Sequence, residues 1–253
     1  MELQTIQDQL KRLRLPTAAK ELENVLARNK KVASLDWVSD LFERELDARA
    51  ESTLNNRLKT ARFPEITTME SFDFEFNSSI NEEKIRSLSN LSFIAENRIA
   101  LFLGNPGTGK THLAIAIGVL AARAGHRVHC TSLKRLSHQI RQAKMRNSLD
   151  DLFRKMLIAK LWLIDDWGVI TLQREIAEEI FDLFDRRKYS SAMILTSNRD
   201  IEEWPQVFPD PVIANATIDR IFDRAETIIF KGPSFRLKGK IQIRDIDAEQ
   251  IKH

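Results

Sequence analysis

The sequence predicts an α/β protein with a parallel, doubly wound, five-stranded sheet, preceded by an all-helical N-terminal domain. Between residues 78 and 230, short apolar runs alternate with helical patterns, as they do in parallel sheets whose strands are joined by helices. The first 62 residues contain no glycine, and their apolar residues recur three and four positions apart, as in amphipathic helices. We therefore expect a helical domain over residues 1–65 and the α/β domain over residues 66–253.

Three helices are expected in the N-terminal domain. Apolar residues recur at helical spacing from Leu3 to Leu13, and Pro16 interrupts this run. A second helix is predicted over residues 17–29, and a third begins near Ser34, whose side chain makes a good N-cap.

An aromatic connector follows this domain at residues 67–77, where Phe72, Phe74 and Phe76 alternate with acids. Three exposed phenylalanines would favour aggregation. The connector is therefore expected to lie against the α/β domain.

Five segments in the α/β domain are predicted to be the strands. They occupy residues 99–103, 127–131, 160–164, 192–196 and 227–230. A helix over residues 81–89 precedes the first of them. Ligands of such sheets bind at the carboxyl ends of the strands, so the chemistry is expected there.

A glycine-rich turn follows the first strand and opens a helix, and it fits Gly-x-x-x-x-Gly-Lys-[Ser/Thr] without deviation. Glycines let backbone N–H groups face phosphate oxygens, and the helix N-terminus adds further donors. The lysine can bridge two phosphates, and the last hydroxyl can bind Mg²⁺. The turn therefore predicts nucleoside triphosphate binding by Gly104, Asn105, Pro106, Gly107, Thr108, Gly109, Lys110 and Thr111.

Polar side chains end the third and fourth predicted strands. Asp165 is placed to hold Mg²⁺ together with Thr111, and Asp166 to orient the attacking water. Asn198 follows the fourth strand and could hydrogen-bond that water beside the γ-phosphate. Asp166 and Asn198 are therefore candidate catalytic residues.

The charge of the chain is unevenly distributed, although its net value is only +3. Residues 123–160 hold ten Lys or Arg against two acids, and residues 161–226 hold fourteen acids against seven bases. Such a basic block suits a polyanion, and a solvated helix face is the alternative. Four cations lie off the apolar stripe of its first helix and are the candidate DNA contacts: Lys134, Arg135, Arg141 and Lys144.

Several protein classes do not fit this composition. No apolar run approaches the roughly 18 residues that span a bilayer, and the first residues lack the pattern of a secretory signal. The single cysteine, Cys130, lies in an apolar strand and is expected to be a buried core thiol. We expect a cytoplasmic protein with no membrane partner.

Taken together, the motifs resemble the AAA+ ATPases of the helicase-loader and IstB group, and their details are closer to IstB-like proteins. The phosphate loop continues as GNPGTGKTHLA, and four further segments in the family's order resemble its motifs. These segments are Arg62-Phe63-Pro64 with Glu70-Ser71-Phe72-Asp73-Phe74, Ala192-Met193-Ile194-Leu195-Thr196-Ser197-Asn198, Thr217-Ile218-Asp219-Arg220-Ile221 and Ser234-Phe235-Arg236-Leu237-Lys238. Two positions depart from the pattern: Asp166 stands where Glu is common, and Phe235 replaces Tyr.

The resemblance implies an ATP- and Mg²⁺-dependent ATPase that assists transposition. Arg220 would be an arginine finger acting on a neighbouring subunit, with Arg224 as the competing candidate. Arg236, in a small C-terminal lid, and His112 would contact the nucleotide of their own subunit. Head-to-tail homo-oligomers would assemble on duplex DNA, deform it and recruit a cognate transposase.

Two other functions share the nucleotide motifs. A DnaC-type helicase loader would act on a replicative helicase, whereas a small-molecule kinase would need neither Arg220 from a neighbour nor a basic block.

Overall fold

The computed structural model describes residues 3–28 and 36–237 of the 253-residue chain. Two compact units divide between Arg57 and Leu58. The predicted N-cap Ser34 lies outside the described residues. So does the part of the predicted C-terminal lid from residue 238 onward.

The first unit is helical, as its periodicity predicted. Its helices are α1 Leu3–Arg12, α2 Pro16–Arg28 and the greater part of α3 Asp36–Ala61. Ile6, Leu10 and Ala19 form its small core. Buried Gln9 and Ser39 exchange side-chain hydrogen bonds of 2.9 and 3.0 Å, which tie α1 to α3.

The second unit is built on a five-stranded, fully parallel sheet, which confirms the predicted fold class. Its strands are β1 Ile99–Gly104, β2 Val128–Ser132, β3 Leu161–Trp167, β4 Ala192–Ser197 and β5 Ala225–Phe230. Their order across the sheet is β2-β3-β4-β1-β5. The strand carrying the phosphate loop therefore lies between β4 and β5, so several strand ends meet beside that loop.

Helices cover both faces of this sheet. They are α4 Glu82–Ser89, α5 Ser92–Ala95, α6 Lys110–Arg123, α7 Leu133–Met145, α8 Leu149–Leu157, α9 Arg174–Arg187 and α10 Pro211–Phe222. Two short 3₁₀ segments, Ile201–Val207 and Phe235–Leu237, complete the described part of the unit. Alternate residues of β1, β3 and β4 belong to two apolar cores on opposite faces of the sheet, so that Leu101 packs in one and Phe102 in the other.

The aromatic connector is part of the second unit and packs against its α/β core, as expected from its composition. Phe72 and Phe74 pack against the core that contains α6, and their rings meet edge to face at 4.7 Å. Cys130 is a buried core thiol, and burial raises its pKa to about 12. Among the described helices, none combines the length and the apolar character needed to cross a membrane.

Candidate functional site

The phosphate loop connects β1 to α6 and lies at the carboxyl end of β1, between β4 and β5. Gly104 has a φ of 138°, and a Cβ there would meet the backbone of Phe230 on β5. Gly107 has a φ of 79°, and a Cβ there would meet the side chain of Ser234. Side chains at these positions would be strained and would collide with neighbouring segments. The glycines thus keep the loop close to its neighbours and its backbone N–H groups accessible.

Lys110 begins α6, and its side chain is enclosed by the loop. Its ammonium donates to the carbonyl oxygens of Gly104 at 2.8 Å and of Asn105 at 2.6 Å. Burial lowers the pKa of Lys110 to about 8, although the carboxylates of Asp165 and Asp166 oppose that shift. A cation with so little solvent around it favours an anionic ligand, since phosphate oxygens would replace the missing water.

Asp165 and Thr111 meet directly below the loop. The Thr111 hydroxyl donates to Asp165 Oδ1 at 2.7 Å, which leaves the lone pairs of the hydroxyl oxygen for another ligand. A carboxylate and a hydroxyl oxygen are hard donors of the kind that Mg²⁺ prefers. This pair therefore fits the metal that was expected at these residues.

Asp166 projects into the same region from an irregular end of β3. Its φ is 54°, in the left-handed region, which Asp tolerates better than most residues. Burial raises the pKa of its carboxyl group, and the negative charge of Asp165 raises it further. A carboxylate with a raised pKa accepts protons more readily, as a group that orients water should.

The sequence did not assign a role to Thr196, which lies at the end of β4. Its hydroxyl donates to Asp165 Oδ1 at 2.5 Å and accepts the backbone N–H of Asp166 at 3.1 Å. In the sequence, Thr196 belongs to the mostly apolar run that leads to Asn198. A hydroxyl group within a buried strand was the signal that could have indicated its role, because such a group needs a hydrogen-bond partner.

One cavity of about 360 Å³ brings most of the predicted nucleotide-binding residues together. Asn198 lines it, and so does Arg236. Both side chains are exposed, so they can reach a ligand without breaking core contacts. The cavity is also lined by Asp165, Asp166, Pro106, Gly107, Thr108, Gly109, Lys110, Thr111 and His112.

Two separate chain segments form hydrogen bonds with the phosphate loop beside this cavity. From the C-terminal side, the N–H of Phe235 donates to the carbonyl of Gly107 at 2.9 Å. From the connector, the Asn77 amide donates to the carbonyl of Thr108 at 3.3 Å. The rings of Phe76 and Phe235 meet edge to face at 5.1 Å. The connector and the C-terminal segment thus form the rim of the cavity.

His112 ties the connector to α6 as well as lining the cavity. Its Nε2 lies 3.1 Å from Ser71 Oγ and 3.3 Å from the Thr68 carbonyl. Its backbone carbonyl accepts the Thr67 hydroxyl at 2.8 Å. His112 therefore holds the connector against α6, in addition to any contact that it makes with a ligand.

Arg220 is not among the residues that line this cavity in the described chain. It lies near the end of α10, where its Nε donates to Asp185 Oδ1 at 2.8 Å. Its guanidinium lies 4.9 Å from the centre of the Phe181 ring. Arg224 has a φ of 62°, and its guanidinium lies 4.8 Å from the ring centre of Tyr189.

The four predicted DNA contacts all lie on α7, and its apolar stripe of Leu133, Leu136 and Ile140 is buried as expected. Their environments differ. Lys134 and Arg135 are exposed in the first turn. Arg141 donates to the Gln173 side chain at 3.1 Å, and Lys144 forms a 2.7 Å ion pair with Glu179. Arg135 also lines a second, smaller cavity together with Asp165, Asp166 and Thr196.

The sheet, the phosphate loop and the paired carboxylates define a P-loop protein of the AAA+ class. Solved structures with the same fold include the DnaC helicase loader, with a TM-score of 0.52 and 20% identity. That match covers 59% of this chain and 87% of the other. DnaI matches with a TM-score of 0.56 and 18% identity, over 65% of this chain and 91% of the other.

Within that class, the chain belongs to the IstB-like ATP-binding proteins, whose family profile matches residues 8–243. It is 36% identical to the ATP-binding protein assigned to insertion sequence IS21 of Pseudomonas aeruginosa, over 91% of this chain and 88% of that one. It is 32% identical to the corresponding protein of insertion sequence IS232 of Bacillus thuringiensis, over 93% of this chain and 95% of that one.

Proposed function

We propose that this protein is an ATP-hydrolysing, DNA-binding helper of transposition that assembles on duplex DNA and prepares it for a transposase. The observation that carries the proposal is the match to insertion-sequence ATP-binding proteins over nearly the whole chain. The phosphate loop and the Asp165–Thr111 pair support its nucleotide-dependent part.

ATP would bind with its phosphates on the loop. Lys110 would exchange the carbonyl oxygens of Gly104 and Asn105 for the β- and γ-phosphates. Thr111 and Asp165 would hold Mg²⁺, which would neutralise part of the phosphate charge. Arg236 and the aromatic rim would contact the rest of the nucleotide, since they line the same cavity.

Hydrolysis would need a positioned water, and two side chains can hold it. Asp166 would accept a hydrogen bond from the water, and the Asn198 amide would fix its orientation toward the γ-phosphate. The Asp166 side chain is one methylene shorter than the Glu common in the family. We therefore expect slow turnover.

The arginine finger would come from the neighbouring subunit, as Arg220. To act there, Arg220 would have to leave Asp185, with which it pairs in its own chain. The Asp185 side chain is 51% exposed, whereas that of Arg220 is 25% exposed and also lies over the Phe181 ring. Assembly would therefore have to replace both contacts of Arg220. Such head-to-tail packing generates rings or helical filaments.

DNA binding is assigned to α7 and would depend mainly on charge. Lys134 and Arg135 project from the first turn of α7 into solvent, where phosphates can reach them. Arg141 and Lys144 extend the same helix but are already partnered by Gln173 and Glu179. The first turn is therefore the expected centre of the contact.

The helicase-loader alternative rests on a shared fold alone. The loader structures are about 20% identical to this chain. The insertion-sequence proteins match it at up to 36% identity over most of both chains. The transposition role is therefore the better supported of the two.

A direct test measures affinity for a duplex oligonucleotide with and without ATP, together with oligomer size by analytical ultracentrifugation. We expect ATP to tighten binding and to produce large assemblies on the duplex. The Lys110→Ala variant should show neither effect, because it lacks the phosphate contact. Equal affinity with and without ATP, with a monomer in both conditions, would contradict the proposal.

A further inference from the structure

Two consecutive carboxylates face one site only because β3 is irregular at its end. In a regular strand, neighbouring side chains point to opposite faces of the sheet. β3 pairs regularly with β4 up to Ile164 and Leu195, and pairing resumes between Trp167 and Ser197. Asp165 and Asp166 therefore oppose the single residue Thr196, which is the arrangement of a β-bulge.

Thr196 contacts both bulged residues through one hydroxyl group. It donates to Asp165 Oδ1 at 2.5 Å and accepts the backbone N–H of Asp166 at 3.1 Å. Next along β4, the Ser197 hydroxyl donates to the Trp167 carbonyl at 2.8 Å. Thr196 and Ser197 are 2% and 1% exposed, so water does not compete for these bonds.

Thr196 and Thr111 both donate to Oδ1 of Asp165. The two donors come from different elements, β4 and α6, so together they fix the rotation of the carboxylate. Thr111 is the one of the two that is expected to bind the metal. Thr196 therefore serves to orient the carboxylate of Asp165.

We propose that Thr196 is a positioning residue that sets the Mg²⁺ affinity of the nucleotide site by holding Asp165 and the bulge that directs Asp166. The inference rests on the proposed nucleotide binding and adds a residue to it. Groups that orient metal ligands typically change metal affinity or activity by about 10–100-fold when they are removed.

The test compares Thr196→Val with the wild type, using a fluorescent non-hydrolysable ATP analogue at a protein concentration that keeps the chain monomeric. Binding is measured in EDTA and during a Mg²⁺ titration. We expect the Mg²⁺ midpoint to rise about 10–100-fold. Affinity in EDTA should change less than about threefold, since Lys110 and the loop are intact. An unchanged Mg²⁺ midpoint overturns the inference.

Three further variants separate positioning from packing. Thr196→Ser keeps the hydroxyl and should restore the wild-type midpoint to within about threefold. Thr217→Val is the matched control, because that buried hydroxyl donates to the Ile213 carbonyl on α10 at 2.8 Å. It should leave the midpoint unchanged. Should the valine variant not fold, Thr196→Cys, with its weak S–H donor, should fall between serine and valine. Identical midpoints for cysteine, serine and wild type overturn the inference.

The same titration distinguishes this inference from the proposed function. A wild-type chain that binds no nucleotide overturns both. A wild type with Mg²⁺-dependent binding, lost in Lys110→Ala but equal in Thr196→Val, overturns the role of Thr196 alone.

Discussion

At the scale of single residues, Lys110 shows how a buried cation can be held in readiness for phosphate. The loop satisfies its ammonium with two carbonyl oxygens, of Gly104 and Asn105. Carbonyl groups carry no net charge, so they compensate only part of the lost hydration. That is why the pKa of Lys110 falls from 10.5 to about 8 while an approaching phosphate would raise it again.

ATP affinity should consequently decline above pH 8. Below pH 8, Lys110 is protonated with and without ATP, so it contributes little pH dependence. Above pH 8, ATP must bind a lysine that has lost its proton and must restore it, so affinity falls by up to about tenfold per pH unit. Calorimetry at pH 9 in two buffers of different ionisation enthalpy should show uptake approaching one proton. The exposed Lys134→Ala variant should show the same uptake, and its absence in wild type would contradict the assignment.

Asp166→Asn should separate ATP binding from turnover. The substitution preserves shape, and Asn adopts the left-handed conformation as readily as Asp. It removes the carboxylate that would orient the water, so hydrolysis should fall by about 10²–10⁴-fold. ATP-dependent assemblies should then persist longer, as sedimentation over time would show.

Asp165→Asn is the comparison for that variant, and it should weaken Mg²⁺-dependent binding itself. If Asp166→Asn lost ATP binding and Asp165→Asn kept it, Asp166 would be the metal ligand and Asp165 the group that orients the water.

At the scale of secondary-structure elements, β1 and β4 were the most predictable strands, because both are buried and mostly apolar. The ends of the strands were less predictable, as β3 shows. An apolar pattern stops at Ile164, yet the strand continues through Asp165 and Asp166 to Trp167. The continuation depends on Thr196 and Ser197 of β4, and the order of strands that makes them neighbours is not visible in local sequence.

Helix α7 provides the test of the DNA contact. Replacing Lys134 and Arg135 with alanine should flatten the plot of log affinity against log salt by about 1.8 units, since each phosphate contact on duplex DNA contributes about 0.9. Lys144→Ala should have a smaller effect, because Lys144 is already paired with Glu179.

The matched control for α7 is Arg86→Ala on α4, an exposed cation paired with Glu82. Its salt dependence should equal that of the wild type. An unchanged slope in the Lys134 and Arg135 variant would place the DNA contact elsewhere in the chain.

At the scale of the whole molecule, the predicted arginine finger, Arg220, would act only in an assembly, because it would reach the nucleotide of a neighbouring subunit. The resemblance predicts that Arg220 acts in the nucleotide site of a neighbouring subunit. The sequence alone does not reveal that Arg220 forms an ion pair with Asp185 of its own chain. That pair arises because α9 and α10 pack together, a contact between residues 35 positions apart.

Arg220→Ala should keep monomer ATP binding while hydrolysis falls about 10³–10⁵-fold, the range seen for arginine fingers. Mixing it with Lys110→Ala should restore part of the activity, because one hybrid interface combines an intact loop with an intact arginine. Steady-state phosphate release measures both. Normal activity of Arg220→Ala alone, with no gain on mixing, would transfer the role to Arg224.

The first turn of α7 lies close to Asp165, so DNA binding at this turn and ATP binding can affect each other. Arg135 borders the same small cavity as Asp165, and the α7 cap Ser132 stands opposite Asp165 in the register of β2 and β3. If ATP changes the affinity of this helix for DNA, thermodynamic reciprocity requires DNA to change the affinity for ATP by the same factor. The duplex would then act as an effector of the nucleotide site: if ATP tightens DNA binding, chains on DNA would bind ATP more tightly than chains free in solution.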